Sequence, residues 1–221
     1  MFASIQPTIL DWITTTRLFL TGASSLTAPR AVRTAKGLAF VQLYAVYEYT
    51  VRESVDSAFV IATGHAMPTS KLLRGMMAIA LDSEFTALSD LGRRRSWKTR
   101  LQLIDTTAAD KPAVFTGKEF PNDGSHYRPN QLETIWTILG ISKPIVSEPR
   151  HRGRINELVE HRNAIAHGRE SADKIGRRFS TADIQDRIDD VQQICLYVLQ
   201  TIEDHCSIPA NFCRSQPAPQ A

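Results

Sequence analysis

Apolar positions along the chain recur at three- and four-residue spacing almost throughout, which predicts a nearly all-helical protein. A first helix is expected around Ile5 to Leu20, followed by the small-residue linker TGASSLTAPR, which reads as flexible. A long helix from about Ala31 to Ala62 carries the stripe Phe40, Tyr44, Tyr47, Val51, Val55 and Phe59. A third, with Thr69 or Ser70 as N-cap and the apolar run MMAIAL inside, should reach Gly92. Pro129 and Gly140 bracket a short helix, NQLETIWTIL, by the usual preference for proline at helix starts and glycine past helix ends. A fifth helix, roughly Gly153 to His167, stops at Gly168, and a sixth from near Thr181 carries Ile184, Ile188, Val191, Cys195, Val198 and Ile202. Residues 93–128 have the poorest pattern: RRRSWKTRLQLI has helical potential, and turn-forming TTAADKP, FPNDG and HYRPN follow. They read as an irregular insertion. The final SQPAPQA reads as disordered, and no β-rich block or internal repeat is evident.

Composition narrows this further. A chain of 221 residues with 43% hydrophobic and 22% charged side chains is ordinary for a packed globular domain. The longest uninterrupted apolar run is Met76 to Leu81, far short of the ~20 residues of a membrane span. The N-terminus lacks a basic region and carries Asp11 inside its apolar stretch, so a secretory signal is not expected and the protein reads as cytoplasmic. Cys195, Cys206 and Cys213 form no CxxC pair and suit reduced thiols. Net charge is only +3, but 19 of the 26 basic residues are arginine, whose planar fork suits phosphate and so leans toward nucleic acid. Phosphate-loop, dinucleotide-fold, HExxH and GxSxG signatures are all missing, and no His pair has metal-ligand spacing, so no cofactor and no metal are expected.

The main anomaly lies in the fifth helix. Ile155, Leu158, Val159, Ile165 and Ala166 define one stripe, and Arg162 falls within roughly 60° of every one of them. A buried guanidinium costs several kcal/mol unless compensated, so the position needs a carboxylate or a wet cleft. On the long helix, Glu48 lies about 50° from the centre of the aromatic stripe and Glu53 near the opposite side, which makes Glu48 the favoured partner. An Arg162 that snorkels over the stripe to water is the equally simple structural alternative. His167 sits about 140° around from Arg162 and one turn from Asn163, in a last turn where the helix dipole favours a cation. On that basis alone a cationic helper beside a glycine cap is the simpler reading.

The stretch from Arg162 through Asn163 to His167, ArgAsnAlaIleAlaHis, resembles the R-x-x-x-x-H motif of HEPN domains, including the polar residue after the arginine. Its flanks LVEHRNAIAHG and QLETIWTILGIS are similar to the RiboL-PSP-type and related HEPN-like nucleases of prokaryotic conflict systems, and YAVYEYTVRESV looks like that group's first helix with its acidic position at Glu48. The resemblance implies an all-α HEPN-type bundle that dimerises and acts as a metal-independent RNase, with Arg162 and His167 meeting in a cleft between subunits. It also implies a toxin or effector of a defence or toxin-antitoxin system, with an antitoxin or defence partner. The domain is expected over residues 31–209, preceded by an N-terminal helix and linker (1–30) and followed by a disordered tail (210–221).

The chemistry converges with this. RNA carries its own nucleophile, the 2′-hydroxyl, so cleavage needs proton transfer and stabilisation of a charged phosphorane. A histidine, titrating near pH ~6.5, suits the first task and an arginine fork the second. Asn163 can orient either group. Two proton transfers from one histidine are awkward, which gives a homodimer a chemical motive. Arg152, Arg154, Arg169, Arg177 and Arg178, with Arg150 and His151, crowd around the motif as candidate RNA contacts, and Arg93, Arg94, Arg95, Lys98 and Arg100 surround Trp97. A solvated basic face explains such clusters as readily. The resemblance also implies two rival functions, a non-catalytic RNA-binding or complex-forming adaptor and a protein substrate of a modifying nucleotidyltransferase.

Overall fold

A computed structural model of the chain describes residues 1–90, 96–115, 120 and 126–214. Among them there are helices, two short 3-10 turns and isolated β-bridges, with no strand. The all-α expectation is met. The chain divides into two compact units: Met1–Ser54, Gly124–Glu133 and Lys143–Thr201 form the first, and Val55–Asp123, Thr134–Ser142 and Ile202–Ala221 the second.

In the first unit, α1 (Phe2–Ser24) buries Phe2, Ile5, Ile9, Ile13 and Leu20. It runs past the expected Leu20 because Ala23 is still buried and the Ser24 hydroxyl donates to the Leu20 carbonyl at 2.8 Å, so much of the expected linker is helix. The Arg17 guanidinium ties α1 to Asp189 and, at 3.1 Å, to Gln192 of α9 (Thr181–Cys206). The long α2 (Pro29–Gly64) starts with proline and buries Phe40, Tyr44, Tyr47 and Val51, as its periodicity predicts. A short helix not read from the sequence, α8 (Ala172–Gly176), lies backbone to backbone on α2. A Cβ on Gly37 would come within 2.0 Å of the Ala172 carbonyl oxygen, and one on Gly176 within 1.9 Å of that of Arg33. Only glycine allows that approach.

α9 opens with a reciprocal cap. The Ser180 amide donates to Asp183 Oδ2 at 2.7 Å and the Asp183 amide to Ser180 Oγ at 3.0 Å. Its expected stripe is buried from Ile184 to Val198. α7 (Pro149–Ala166) begins earlier than expected from Gly153, because Glu148 is extended and Pro149 presets the first helical φ.

In the second unit, the single helix expected from Thr69 to Gly92 is replaced by a 3-10 turn at Thr69–Lys71, α3 (Arg74–Ala80) and α4 (Asp82–Asp90). Neither Thr69 nor Ser70 caps a helix; Leu73, extended, precedes α3. The MMAIAL run is core, with Met76, Ile79 and Leu81 buried. Within the expected irregular insertion, α5 (Ser96–Ala108) is helical and exposes Trp97, Leu101 and Ile104 along one face. Arg100 lies over the Trp97 ring at 5.1 Å; Arg93, Arg94 and Arg95 lie outside the described residues.

Like α2 and α9, α6 (Pro129–Leu139) contributes residues to both units, and it ends as predicted at Gly140, which has φ +77°. The first residues of the expected tail are ordered. Pro209–Phe212 is a 3-10 turn with Phe212 fully buried, and Arg214 donates to the Leu72 carbonyl at 2.8 Å. Residues 215–221 lie outside the described residues.

Candidate functional site

α7 carries two arginine sites about two turns apart. Toward its start, Arg154 donates to Asp190 Oδ2 at 2.8 Å and to Glu157 Oε2 at 2.7 Å. Asp190 on α9 is 4% exposed and also takes Arg150 at 3.1 Å, with the buried His151 ring 3.6 Å away. Glu157 in turn receives Arg187 through both its oxygens, and the Arg187 guanidinium lies 4.4 Å over Phe179. Desolvation raises the Glu157 pKa, but the hydrogen bonds from Arg187 and Arg154 outweigh it and leave a net depression below the usual carboxylate range. Every charge in this network has a partner. It joins α7 to α9.

Toward the end of α7 the arrangement differs. Arg162 is half-buried, and among the described residues no carboxylate pairs with it. Its guanidinium carbon sits 4.6 Å over the Tyr44 ring, and Nη1 donates to Asn163 Oδ1 at 2.9 Å. Asn163 is buried and so holds one edge of the fork in place. The buried face of this last turn is Asn163 and Ala164 instead of the expected Ile165 and Ala166, because the chain reverses here and the Glu170 amide bonds back to the Ala164 carbonyl at 3.1 Å. Arg162 therefore stands at the rim of the apolar stripe instead of its middle. His167 is the exposed C-cap residue, its amide on the Asn163 carbonyl at 3.0 Å, and Gly168 follows with φ +67°.

Glu48 lies one turn beyond Tyr44 on α2 and is half-buried. The expected pairing is not formed: no ion pair joins Glu48 to Arg162, and an aromatic face and an amide occupy the place foreseen for the carboxylate. Glu48 instead acts through its field. Burial and then the Glu48 charge push the Tyr44 hydroxyl up to about 12, against the opposing pull of Arg162. Glu53 is likewise half-buried, and it pairs with Arg52 3.1 Å away.

The sequence reading passed over His126. Residues 126–128 form a strap across the Tyr44 face of α2. The Tyr47 hydroxyl donates to the Tyr127 carbonyl at 2.8 Å, and Arg128 reaches Glu160 at 3.4 Å. The strap sets His126 Nδ1 3.4 Å from the Tyr44 hydroxyl, with the two rings edge to face at 6.1 Å. Desolvation lowers the His126 pKa, Arg162, Arg128 and His167 lower it further, and Glu48 opposes them. One aromatic ring thus organises Arg162 on its face and His126 at its hydroxyl.

The expected RNA-contact arginines are mostly engaged within the chain. Arg154 belongs to the buried network above, which corrects its placement on an RNA face. Arg152 is 2.6 Å from Glu133, Arg169 is 3.2 Å from Glu160, and Arg178 pairs with Glu170; all three remain about half-exposed. Arg177 is exposed and forms no ion pair among the described residues. His161, beside the motif, packs edge-on against Phe40 at 4.7 Å and serves the core. Among the described residues no group of three His, Cys, Asp or Glu is placed to hold a metal ion, and no helix is long and apolar enough to cross a membrane.

The model of the HEPN_MAE_28990-like HEPN family matches residues 13–210. The chain belongs to that family. The HEPN match opens inside α1 and closes at the 3-10 turn, so it takes in the strap and both arginine sites. Membership in a HEPN family points to a nuclease or RNA-related function. No curated protein and no solved structure matches the chain.

Proposed function

We propose that this HEPN protein is a metal-independent endoribonuclease that cleaves RNA by attack of the 2′-hydroxyl, acting as a homodimeric toxin or effector of a defence or toxin-antitoxin system. The observation that carries the reading is Arg162. Its guanidinium is held by the Tyr44 face and the Asn163 amide, with no carboxylate partner among the described residues, beside an exposed histidine at a helix end. A charge held in position without a neutralising carboxylate is poised for an anion, and an RNA phosphate is the anion that the neighbouring proton-transfer group can use. Arg162 would stabilise the phosphorane, Asn163 would hold the fork and His167 would move a proton. Glu48 would set the field of the site. Arg152, Arg169, Arg177 and Arg178 would guide the RNA backbone, three of them by exchanging a surface carboxylate for a phosphate, a cheap exchange for exposed pairs.

Purified protein should cut RNA in excess EDTA and leave a 2′,3′-cyclic phosphate, with DNA inert. Comparable cutting by Arg162→Ala and His167→Ala proteins would overturn the assignment. RNA binding without any cutting by the wild-type protein would favour the adaptor reading instead.

A further inference from the structure

We propose that His126 is the second proton-transfer group of the site, taking the proton of the attacking 2′-hydroxyl while His167 supplies one to the leaving 5′-oxygen. This rests on the ribonuclease reading above and changes where its second histidine comes from: the same chain provides it.

Three observations place His126. Its Nδ1 is 3.4 Å from the Tyr44 hydroxyl, the ring that carries the Arg162 guanidinium 4.6 Å over its face. The strap that bears it is anchored directly after His126, by Tyr47 on the Tyr127 carbonyl and by Arg128 on Glu160. His126 is also close enough to Arg162, Glu48, Arg128 and His167 to feel the charge of all four. With Nδ1–H donating to the Tyr44 oxygen, Nε2 carries the lone pair that a base needs, and Tyr44 serves as its positioning residue, as orienting partners do for other imidazoles.

Among the described residues, Tyr44 touches His126 and the charges of Arg162, Glu48, Arg128 and His167 act on it, with the lowering influences outweighing Glu48. Burial and these cations hold the ring neutral at ordinary pH, the state required of a base. The step balances. The 2′-hydroxyl proton passes to His126 Nε2, the 2′-oxygen bonds to phosphorus, and the phosphorus to 5′-oxygen bond breaks. The leaving oxygen takes its proton from His167, giving a 2′,3′-cyclic phosphate and a 5′-hydroxyl. Water then returns the proton from His126 to His167.

The experiment uses a synthetic oligoribonucleotide cut at a single bond, in an all-oxygen form and with bridging sulfur replacing the 5′-oxygen there. A thiolate leaves without an acid. On the oxygen substrate, His126→Ala and His167→Ala should each slow cutting by at least about 100-fold. On the sulfur substrate, His167→Ala should recover to within about tenfold of wild type, while His126→Ala stays at least about 100-fold slow. Tyr44→Phe, which keeps the ring beneath Arg162, should lower kcat about tenfold with KM unchanged. If His126→Ala cuts like wild type while Arg162→Ala is inactive, this proposal is overturned and the ribonuclease reading stands. If sulfur rescues His126→Ala instead, or Tyr44→Phe leaves kcat unchanged, the assignment of the base and its positioning is wrong. If the wild-type protein cuts neither substrate, both readings fall together.

Discussion

Arg154 and Arg162 stand on one helix about two turns apart, yet they have opposite surroundings. Arg154 meets two carboxylates, one of them buried, inside a network in which Asp190 and Glu157 bind three arginines between them. Arg162 meets an aromatic face and an amide, and no carboxylate among the described residues. The same side chain is a structural cross-link in the first place and, among the described residues, a guanidinium without an ion pair in the second. What separates them is where the negative charge is supplied. Carboxylates within the fold neutralise Arg154, whereas the groups that orient Arg162 are uncharged. An arginine count, or a cluster of arginines in sequence, cannot tell these apart.

The sharpest way to break this comparison is to remove the open charge. Arg162→Ala should lower RNA cleavage by about 10³-fold or more, with a thermal unfolding midpoint only modestly lowered, because the buried Asn163 amide oxygen loses its donor but no buried charge is orphaned. A collapse of stability in that protein would mean that Arg162 is structural after all. Asp190→Asn should do the reverse: unfolding free energy falls by about 3 kcal/mol as Arg154 and Arg150 lose a buried carboxylate, while the protein that remains folded keeps its activity per molecule. Denaturant titration alongside cleavage assays reads both.

Acid should attack the paired region first. The folded Glu157 pKa lies below its unfolded value, so its contribution is fully present above about pH 4.5 and is lost as pH falls through the folded value. Melting temperature should therefore decline below about pH 4.5, and Glu157→Gln should flatten that decline. The smallest effect is expected at Glu48. With no ion pair to break, Glu48→Gln should change stability by less than about 1 kcal/mol and activity only several-fold, with Glu53→Gln silent in both. A loss of several kcal/mol on Glu48→Gln would restore the direct pairing with Arg162 that the structure does not show.

The paired network was only half visible in sequence. Arg154 and Glu157 are a three-residue helical pair that a wheel finds, but Asp190 and Arg187 lie on another helix, and nothing local announces which arginine they choose. The same holds for the open site. Tyr44 reads as one more member of a buried aromatic stripe, and His126 as an isolated histidine in a poorly patterned segment. The hint available was HisTyrArg directly before Pro129, polar and aromatic residues leading into a helix start, which places a short strap at a defined point but not against a defined partner.

By itself the sequence determined what rests on local regularity. The 3.6-residue spacing sets the helices and their buried faces, Pro129, Gly140 and Gly168 punctuate them, and the spacing from Arg162 to His167 puts a guanidinium and an imidazole near one helix end. These depend on backbone sterics and near neighbours, so a short window suffices. The tertiary structure alone decided the break of the third helix into two, the glycine-to-glycine seat of α8 on α2, the choice between Asp190 and Tyr44 as partners for two arginines of one helix, and the delivery of His126 to the Tyr44 hydroxyl. Each of these turns on which surfaces meet across long stretches of chain. That is settled by the packing of the whole first or second unit, where the energy of one contact depends on all the others that position it.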